Sequence, residues 1–437
     1  SAKTASPSVW ATTLRALRHR NFRLFFGGQI VSLTGTWMQS VAQAWLVYRL
    51  TGSSFLLGAV GFAGQFPVFL VAPFGGIAAD RANRQRLVIA TQAASMILAA
   101  ILAWLTLTHR VDKWHVLVLA GLLGVVNAFD IPARQSFLID MVGKEDLMNA
   151  IALNSSMFNG ARVVGPAVAG ILVARIGEGW CFGVNAISYI AVIAGLMMMK
   201  VKCPRRSTSD SPLADIVEGF RWVYSTRIIR TLLVLLGLVS LVGMPYTVLM
   251  PIFADKILHG GARGLGILMG ATGVGALLGA LTLASRTGVK GLGRLVAWSC
   301  GGFGVGLILF AFSRWFWIST VLLLPVGYSI MLQMACSNTL IQTMVPDRLR
   351  GRVMALYSMM FMGMAPFGAL FGGTVADRLG APMTVAVGGL ASVIGAIWFA
   401  RALPDMRVEA RRLIVAQGMA GGEPALEIAT TQPVEES

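Results

Sequence analysis

The chain has 437 residues, 56% of them hydrophobic and only 13% charged, with a mean hydropathy of +0.72. A soluble protein of this size needs far more charge on its surface, so that class is excluded. The four cysteines (Cys181, Cys203, Cys300, Cys336) sit at no metal-like spacing, which leaves neither a metal site nor a disulfide framework to expect.

About 30 Å of hydrocarbon takes about 20 apolar residues, and twelve such runs can be read along the chain. With the N-terminus placed inside and the helices alternating, inside segments hold 26 of the 36 Lys and Arg and outside loops hold eight. The other two, Arg134 and Arg162, fall within or at the edge of helices. That asymmetry is the positive-inside rule, so the net charge of +17 is topology and does not point to nucleic acid. It also suits an anionic inner leaflet, which makes membrane lipids an expected partner.

Residues 1–20 form a basic leader, expected inside. The first span, about Phe22 to Tyr48, is too long for a secretory signal and lacks a cleavage site, so no cleavable signal peptide is expected. Its Gln29, Ser32, Thr36, Gln39 and Gln43 recur at spacings of 3, 4, 3 and 4, on one helical face. Facing lipid would be costly, so the seam lines a watery cavity or bonds neighbouring helices. The cavity is the expectation taken. The second span ends in Gly76-Ile77-Ala78-Ala79-Asp80-Arg81-Ala82-Asn83-Arg84, which resembles the Gly-x-x-x-Asp-Arg-x-Gly-Arg signature of the major facilitator superfamily. Asn83 replaces the usual glycine; asparagine tolerates positive φ, so a tight turn is expected to survive. Asp80, at a helix end among Arg81 and Arg84, reads as the carboxylate that holds an inner gate shut, against the alternative of a solvated basic loop.

The third span, Leu87 to Thr108, reads as plain and apolar. The fourth, His115 to Ser136, carries Asn127, Asp130 and Arg134 at spacings of 3 and 4. Of the 19 acidic residues only Asp130 falls clearly inside a span, which marks it as functional by default. It is the candidate proton carrier, with Arg134 or Arg162 as its partner; Arg162 is expected to pair with it directly. The fifth span, Asn149 to Ala174, sets Ser155, Asn159 and Arg162 along one face and then presents Gly165-Pro166-Ala167-Val168-Ala169-Gly170. This resembles the superfamily's antiporter motif; physically, the proline bends the helix and the glycines permit close packing. The sixth span runs from Trp180 to Met199. A basic and Ser/Thr/Pro-rich linker follows, then an amphipathic helix after Ser211-Pro212, expected at the inner membrane surface. Six further spans repeat the plan. Pro245, Tyr246 and Pro251 bend the seventh; Gln333, Ser337 and Asn338 mark the tenth; methionines crowd the eleventh. The end of the chain, small, polar and acidic, reads as a disordered tail.

Leu138–Gly177 lies over Ile341–Gly380 at an offset of 203 without a gap, with twelve identities between positions 141 and 177. Gly160, Gly165, Gly170 and Gly177 meet Gly363, Gly368, Gly373 and Gly380. A period near half the chain length means two equivalent halves.

The resemblance to the major facilitator superfamily covers residues 14–403, and within it the chain looks most like the bacterial enterobactin and macrolide exporter branch, through Asp130–Gln135 and Asn159–Pro166. The resemblance implies an all-α membrane protein of twelve transmembrane helices in two pseudo-symmetric six-helix bundles. It also implies a central cavity faced by spans 1, 4, 7 and 10, and alternating access. The boundaries expected are a leader at 1–20, bundles at 21–200 and 227–403, a linker at 201–226 and a tail at 404–437. The substrate cavity would draw on Gln29, Ser32, Thr36, Gln39, Gln43, Asn127, Asn159, Tyr246, Gln333, Ser337 and Asn338; the gate on Gly76, Asp80, Arg81 and Arg84; the fifth-span motif on Gly165, Pro166 and Gly170. The activity implied is proton-coupled export of amphipathic small molecules such as drugs or siderophores; the alternative is a lipid or lysophospholipid transporter of the same fold. No nucleophile elbow, metal-ligand cluster or phosphate loop points to an enzyme, a metal, a cofactor or ATP drive. A monomer in a bacterial cytoplasmic (inner) membrane, both termini cytoplasmic, completes the expectation.

Overall fold

A computed structural model describes residues 14–143, 145–201, 212–286 and 291–419. The side chains at 73, 77, 80, 212–217, 347 and 416–419 lie outside that description, as do the linker run 202–211 and the tail 420–437. After a 3-10 turn at Arg15–Arg18 the chain is helix upon helix. The first six are α1 (Arg20–Thr51), α2 (Ser54–Arg81), α3 (Arg84–Leu107), α4 (Lys113–Val142), α5 (Leu147–Ile176) and α6 (Glu178–Met197). A short amphipathic α7 (Pro212–Ser225) precedes α8 (Arg227–Ile257), α9 (Gly261–Ala284), α10 (Leu292–Phe312) and α11 (Phe316–Met344). The eleventh span is two helices, α12 (Asp347–Phe361) and α13 (Met364–Leu379), and α14 (Ala381–Met419) closes the chain.

This is an all-α membrane fold. Among the described residues, eleven helical segments are long and apolar enough to cross a bilayer. α1, at 32 residues, has the length as well, and its polar seam is what lowers its hydropathy. The breaks between helices have local causes. Gly52 ends α1 at φ 61°, where a side chain would be strained, and Ser53 caps α2 by accepting from the Leu56 amide. Asn83 does not take the positive φ expected of it. It sits at φ −71° and caps α3, its side chain accepting from the Arg86 amide at 3.1 Å. A side-chain acceptor stabilises a helix start, so the position needs an asparagine's oxygen and not a glycine's freedom. α8 relaxes into π turns at Val239–Gly243 and Phe253–Ile257, on either side of Pro245 and Pro251, the bend expected there. The eleventh span breaks at Met362–Gly363, and Pro366 then falls in the first turn of α13, where its missing N–H costs nothing.

The chain forms two compact units: one runs to Thr208 and adds Val248–Gly273, the other takes Ser209–Thr247 and everything from Val274. In the first, α1 packs on α5 and α6, α2 on α4, and α3 on α4 and α6. In the second, α10 packs on α11 and α14, α8 on α13 and α14, and α7 on α12. The glycines of the repeat explain the equivalence. A Cβ on Gly165 would lie 2.4 Å from Trp37 Cβ and 3.0 Å from Thr34 O on α1. A Cβ on Gly368 would lie 2.8 Å from Ser240 O and 2.7 Å from Leu241 O on α8. Trp37 and Ser240 are themselves 203 apart, so each unit repeats one helix–helix contact that only a residue without a side chain allows.

Candidate functional site

Asp130 is 3% exposed in the interior of the first unit. One turn along α4, Arg134 pairs with it at 3.2 Å. From α3, Thr91 Oγ1 donates to Asp130 Oδ1 at 2.7 Å and Gln92 Nε2 donates to the same oxygen at 2.9 Å. Arg134 also donates to Gln29 Oε1 of α1 at 3.1 Å. One carboxylate thereby ties α1, α3 and α4 together. The third span is therefore not plain: Thr91, Gln92 and Ser95 are all buried on one face, a cluster that helical spacing was sufficient to reveal.

The polar seam of α1 turns inward, toward its neighbours. Gln29, Ser32 and Gln39 are 1%, 3% and 7% exposed. Asn185 of α6 donates to Gln39 Oε1 at 2.7 Å, and Thr36 shares a 3.4 Å contact with the Tyr189 hydroxyl. Gln29, Thr36 and Gln39 thus meet polar groups of neighbouring helices, whose satisfaction an apolar medium favours. Gln43 and Asn127 are half-buried. Asn159, also half-buried, donates to the Ser155 carbonyl at 2.9 Å. In the second unit Tyr246 is buried edge-on against Phe303, Gln333 and Ser337 are buried, and half-buried Asn338 accepts from Gln342.

Arg162 is not brought to Asp130. Its guanidinium lies over the Trp37 ring, 5.7 Å from the centroid. Asp130 instead takes Arg134, Thr91 and Gln92 as its partners. Gly170 packs on α9, where its own Cβ would lie 2.9 Å from Gly266 Cα; Gly266 likewise faces Pro166 O. The glycine–proline motif is thus a close helix crossing.

At the α2–α3 junction Arg84 is 1% exposed and pairs with Asp140 of α4 at 2.8 Å. Asp140 went unnoticed in the sequence because it stands near a helix end, where charge is unremarkable. Arg81 is exposed, and nothing lies within 4 Å of where a Gly76 Cβ would be. The Asp80 side chain lies outside the described residues. Between α4 and α5, Asp146 has a fully buried side chain on which Arg15, Arg18 and His19 converge, the last two at 2.8 and 2.7 Å. The hydrogen bond from His19, then that from Arg15 and the two arginine charges, outweigh burial and hold its carboxyl down at about 2. Asn149 accepts from the Ala16 amide at 2.8 Å, so the leader turn is fastened to the start of α5.

The sequence pattern of the transmembrane secretion effector family, within the major facilitator superfamily, matches residues 11–430. The staphyloferrin A transporter of Staphylococcus aureus is 28% identical, over 85% of this chain and 93% of its own. The multidrug efflux pump Tap of Mycolicibacterium fortuitum is 29% identical, over 79% and 87%. The enterobactin exporter EntS of Shigella boydii is 25% identical, over 92% and 96%. Among solved structures, the nucleoside transporter NupG superposes with a TM-score of 0.69 at 14% identity, covering 88% of this chain and 98% of its own, which establishes likeness of fold alone.

Proposed function

This chain belongs to the transmembrane secretion effector family of the major facilitator superfamily and is a multi-pass membrane transporter, not an enzyme; from that premise we propose that it is a proton-coupled exporter of amphipathic small molecules, working by alternating access in a bacterial cytoplasmic membrane. The relatives named as siderophore transporters and a multidrug efflux pump support the substrate class, and two of those names state export.

The observation that carries the coupling is Asp130. A carboxylate buried mid-span is costly, and its partners are one arginine and two neutral donors. Protonation turns that acceptor into a donor and removes the charge that Arg134 neutralises. Arg134 is then free to re-form its bonds, and its link to Gln29 passes the change to α1. Protons entering and substrate leaving would take turns on the two states of this network. Monomeric action, with both termini cytoplasmic, completes the proposal.

The test is transport in vesicles reconstituted with the full chain, using radiolabelled chloramphenicol, a neutral amphipathic drug, as probe and an imposed pH gradient. Asp130→Asn is expected to lose gradient-driven accumulation at least tenfold while downhill movement persists. Gradient-driven accumulation at the unmodified level would place the proton elsewhere.

A further inference from the structure

Among the described residues, Arg162 has no carboxylate partner of the kind its position calls for. It lies 15 residues from the start of α5 and 14 from its end, about 21–23 Å along the axis from either side. A guanidinium at that depth is costly unless it is paired or faces water. Asp130 is taken up by Arg134, Thr91 and Gln92. Among the described residues no carboxylate pairs with Arg162 and no hydrogen bond holds its guanidinium.

What it does have is aromatic. The guanidinium carbon stands 5.7 Å from the Trp37 ring centroid, and the Trp37 ring meets Phe158 edge to face at 5.6 Å and 73°. The close approach at Gly165, one turn on, is what brings Trp37 of α1 against this face of α5. Arg162 and Trp37 are half-buried and Phe158 is 44% exposed, so the cluster is open on one side.

We propose that Trp37, Phe158 and Arg162 form a recognition subsite for a carboxylate carried on an aromatic body. A guanidinium stacked on an indole presents its edge N–H groups away from the ring, and that planar fork matches a carboxylate bidentately. The edge-to-face pair supplies an apolar wall of the kind aromatic rings favour. The charge arithmetic agrees in sign. In the middle of the first unit's spans Asp130 stands against Arg134 and Arg162, a balance of +1 that an anionic ligand neutralises and a cationic one would worsen. The subsite rests on the transporter reading above and narrows its substrate class.

The test is calorimetric binding to the purified full chain in detergent, with three probes of one shape: 1-naphthoate, neutral 1-naphthamide and 1-naphthylmethylammonium. Naphthoate is expected to bind at least tenfold more tightly than the amide, a difference of about 1.4 kcal/mol, with the ammonium weakest. Arg162→Gln should bring naphthoate down to the amide's affinity. Equal binding of naphthoate and naphthamide to the unmodified protein, or an undiminished preference in Arg162→Gln, overturns the subsite. Should Arg162→Gln fail to fold, Trp37→Leu takes its place: a loss of about fivefold or more for both probes is expected, and unchanged binding overturns the proposal. Binding needs no gradient. Anion preference without proton-driven transport therefore counts against coupled export alone, and transport without anion preference counts against the subsite alone.

Discussion

Arg84→Ala separates a structural staple from a gate. The arginine is buried, its Nη1 sits 2.8 Å from Asp140, and its Nε donates to the Ala79 carbonyl at 3.1 Å. The Asp140 side chain is itself only 6% exposed, so the truncation leaves a carboxylate in a site that cannot hydrate it. Removing one partner of such a pair costs about 3–5 kcal/mol, whereas replacing both by apolar groups of similar size is close to neutral. At about 2–4 °C per kcal/mol for a unit of roughly 200 residues, the thermal midpoint should fall by about 6–20 °C. Circular dichroism of the purified protein in detergent reads that midpoint, with size exclusion checking that the sample stays monodisperse. The double variant Arg84→Met with Asp140→Leu should recover most of the loss, and the departure from additivity measures the pair. A fall of under about 2 °C in the single variant, or a double variant no better than either single, would refute the reasoning and return Arg84 to the gate.

Gly165→Val should destabilise by about 1–3 kcal/mol, because the added carbons meet the Trp37 side chain and the α1 backbone at Thr34 and Met38, which cannot swing away. Gly76→Ala should be neutral or stabilising, since open space surrounds the new methyl and alanine favours helix by up to about 1 kcal/mol. Equal midpoint shifts in the two variants would show that close packing is not what selects the glycines. The third prediction concerns pH. Asp146 has its carboxyl held at about 2, below the ordinary 3.8, so its contribution to stability is present above the ordinary value and is lost as pH falls through the lower one. Thermal midpoints from pH 6 down to pH 2 should fall more steeply in the unmodified chain than in Asp146→Asn. The variant should also be cut faster by trypsin after Arg18, whose exposed side chain loses its carboxylate. Parallel pH curves and unchanged cleavage would contradict this.

Much of the architecture was legible because each signal reports one thing the membrane demands. Span length and the glycines repeated at 203 read correctly for the fold. The site was less legible, and the reason is rotational. Spacings of 3 and 4 place Gln29 through Gln43 on one face of α1, but nothing in the spacing says whether that face meets water or α6. Asn185 and Tyr189, which meet it, recur with Ser188 at i, i+3 and i+4 on α6, a second polar seam whose match to the first no single-helix spacing states. Arg162 shows the same limit: residue counts along α5 and α4 suggested Asp130 as its partner, and the contact its guanidinium makes is with Trp37. At Asn83 the error was chemical, since the side chain was taken for its tolerance of φ when its oxygen is what α3 uses.

The internal repeat isolates what the fold does not need. α4 and α11 begin 203 residues apart, at Lys113 and Phe316, so Asp130 falls over Gln333 and Arg134 over Ser337. All but Arg134 are buried to within 3% exposure, and the second unit holds together with neutral residues at both places. Arg162 falls over Ala365. The shared positions, Gly165 with Gly368 above all, are those that packing dictates; the unshared ones carry the charge. Stability alone therefore does not explain the ion pair of the first unit. Substituting Asp130→Gln and Arg134→Ser together gives the first unit the side chains of the second. Because no charge is left unpartnered, the midpoint should move by less than about 4 °C, equivalent to about 1–2 kcal/mol. Gradient-driven transport in reconstituted vesicles should be lost. A midpoint that collapses as far as in Arg84→Ala would mean that the pair is structural, and the coupling role of Asp130 would then have no support from its place in the repeat.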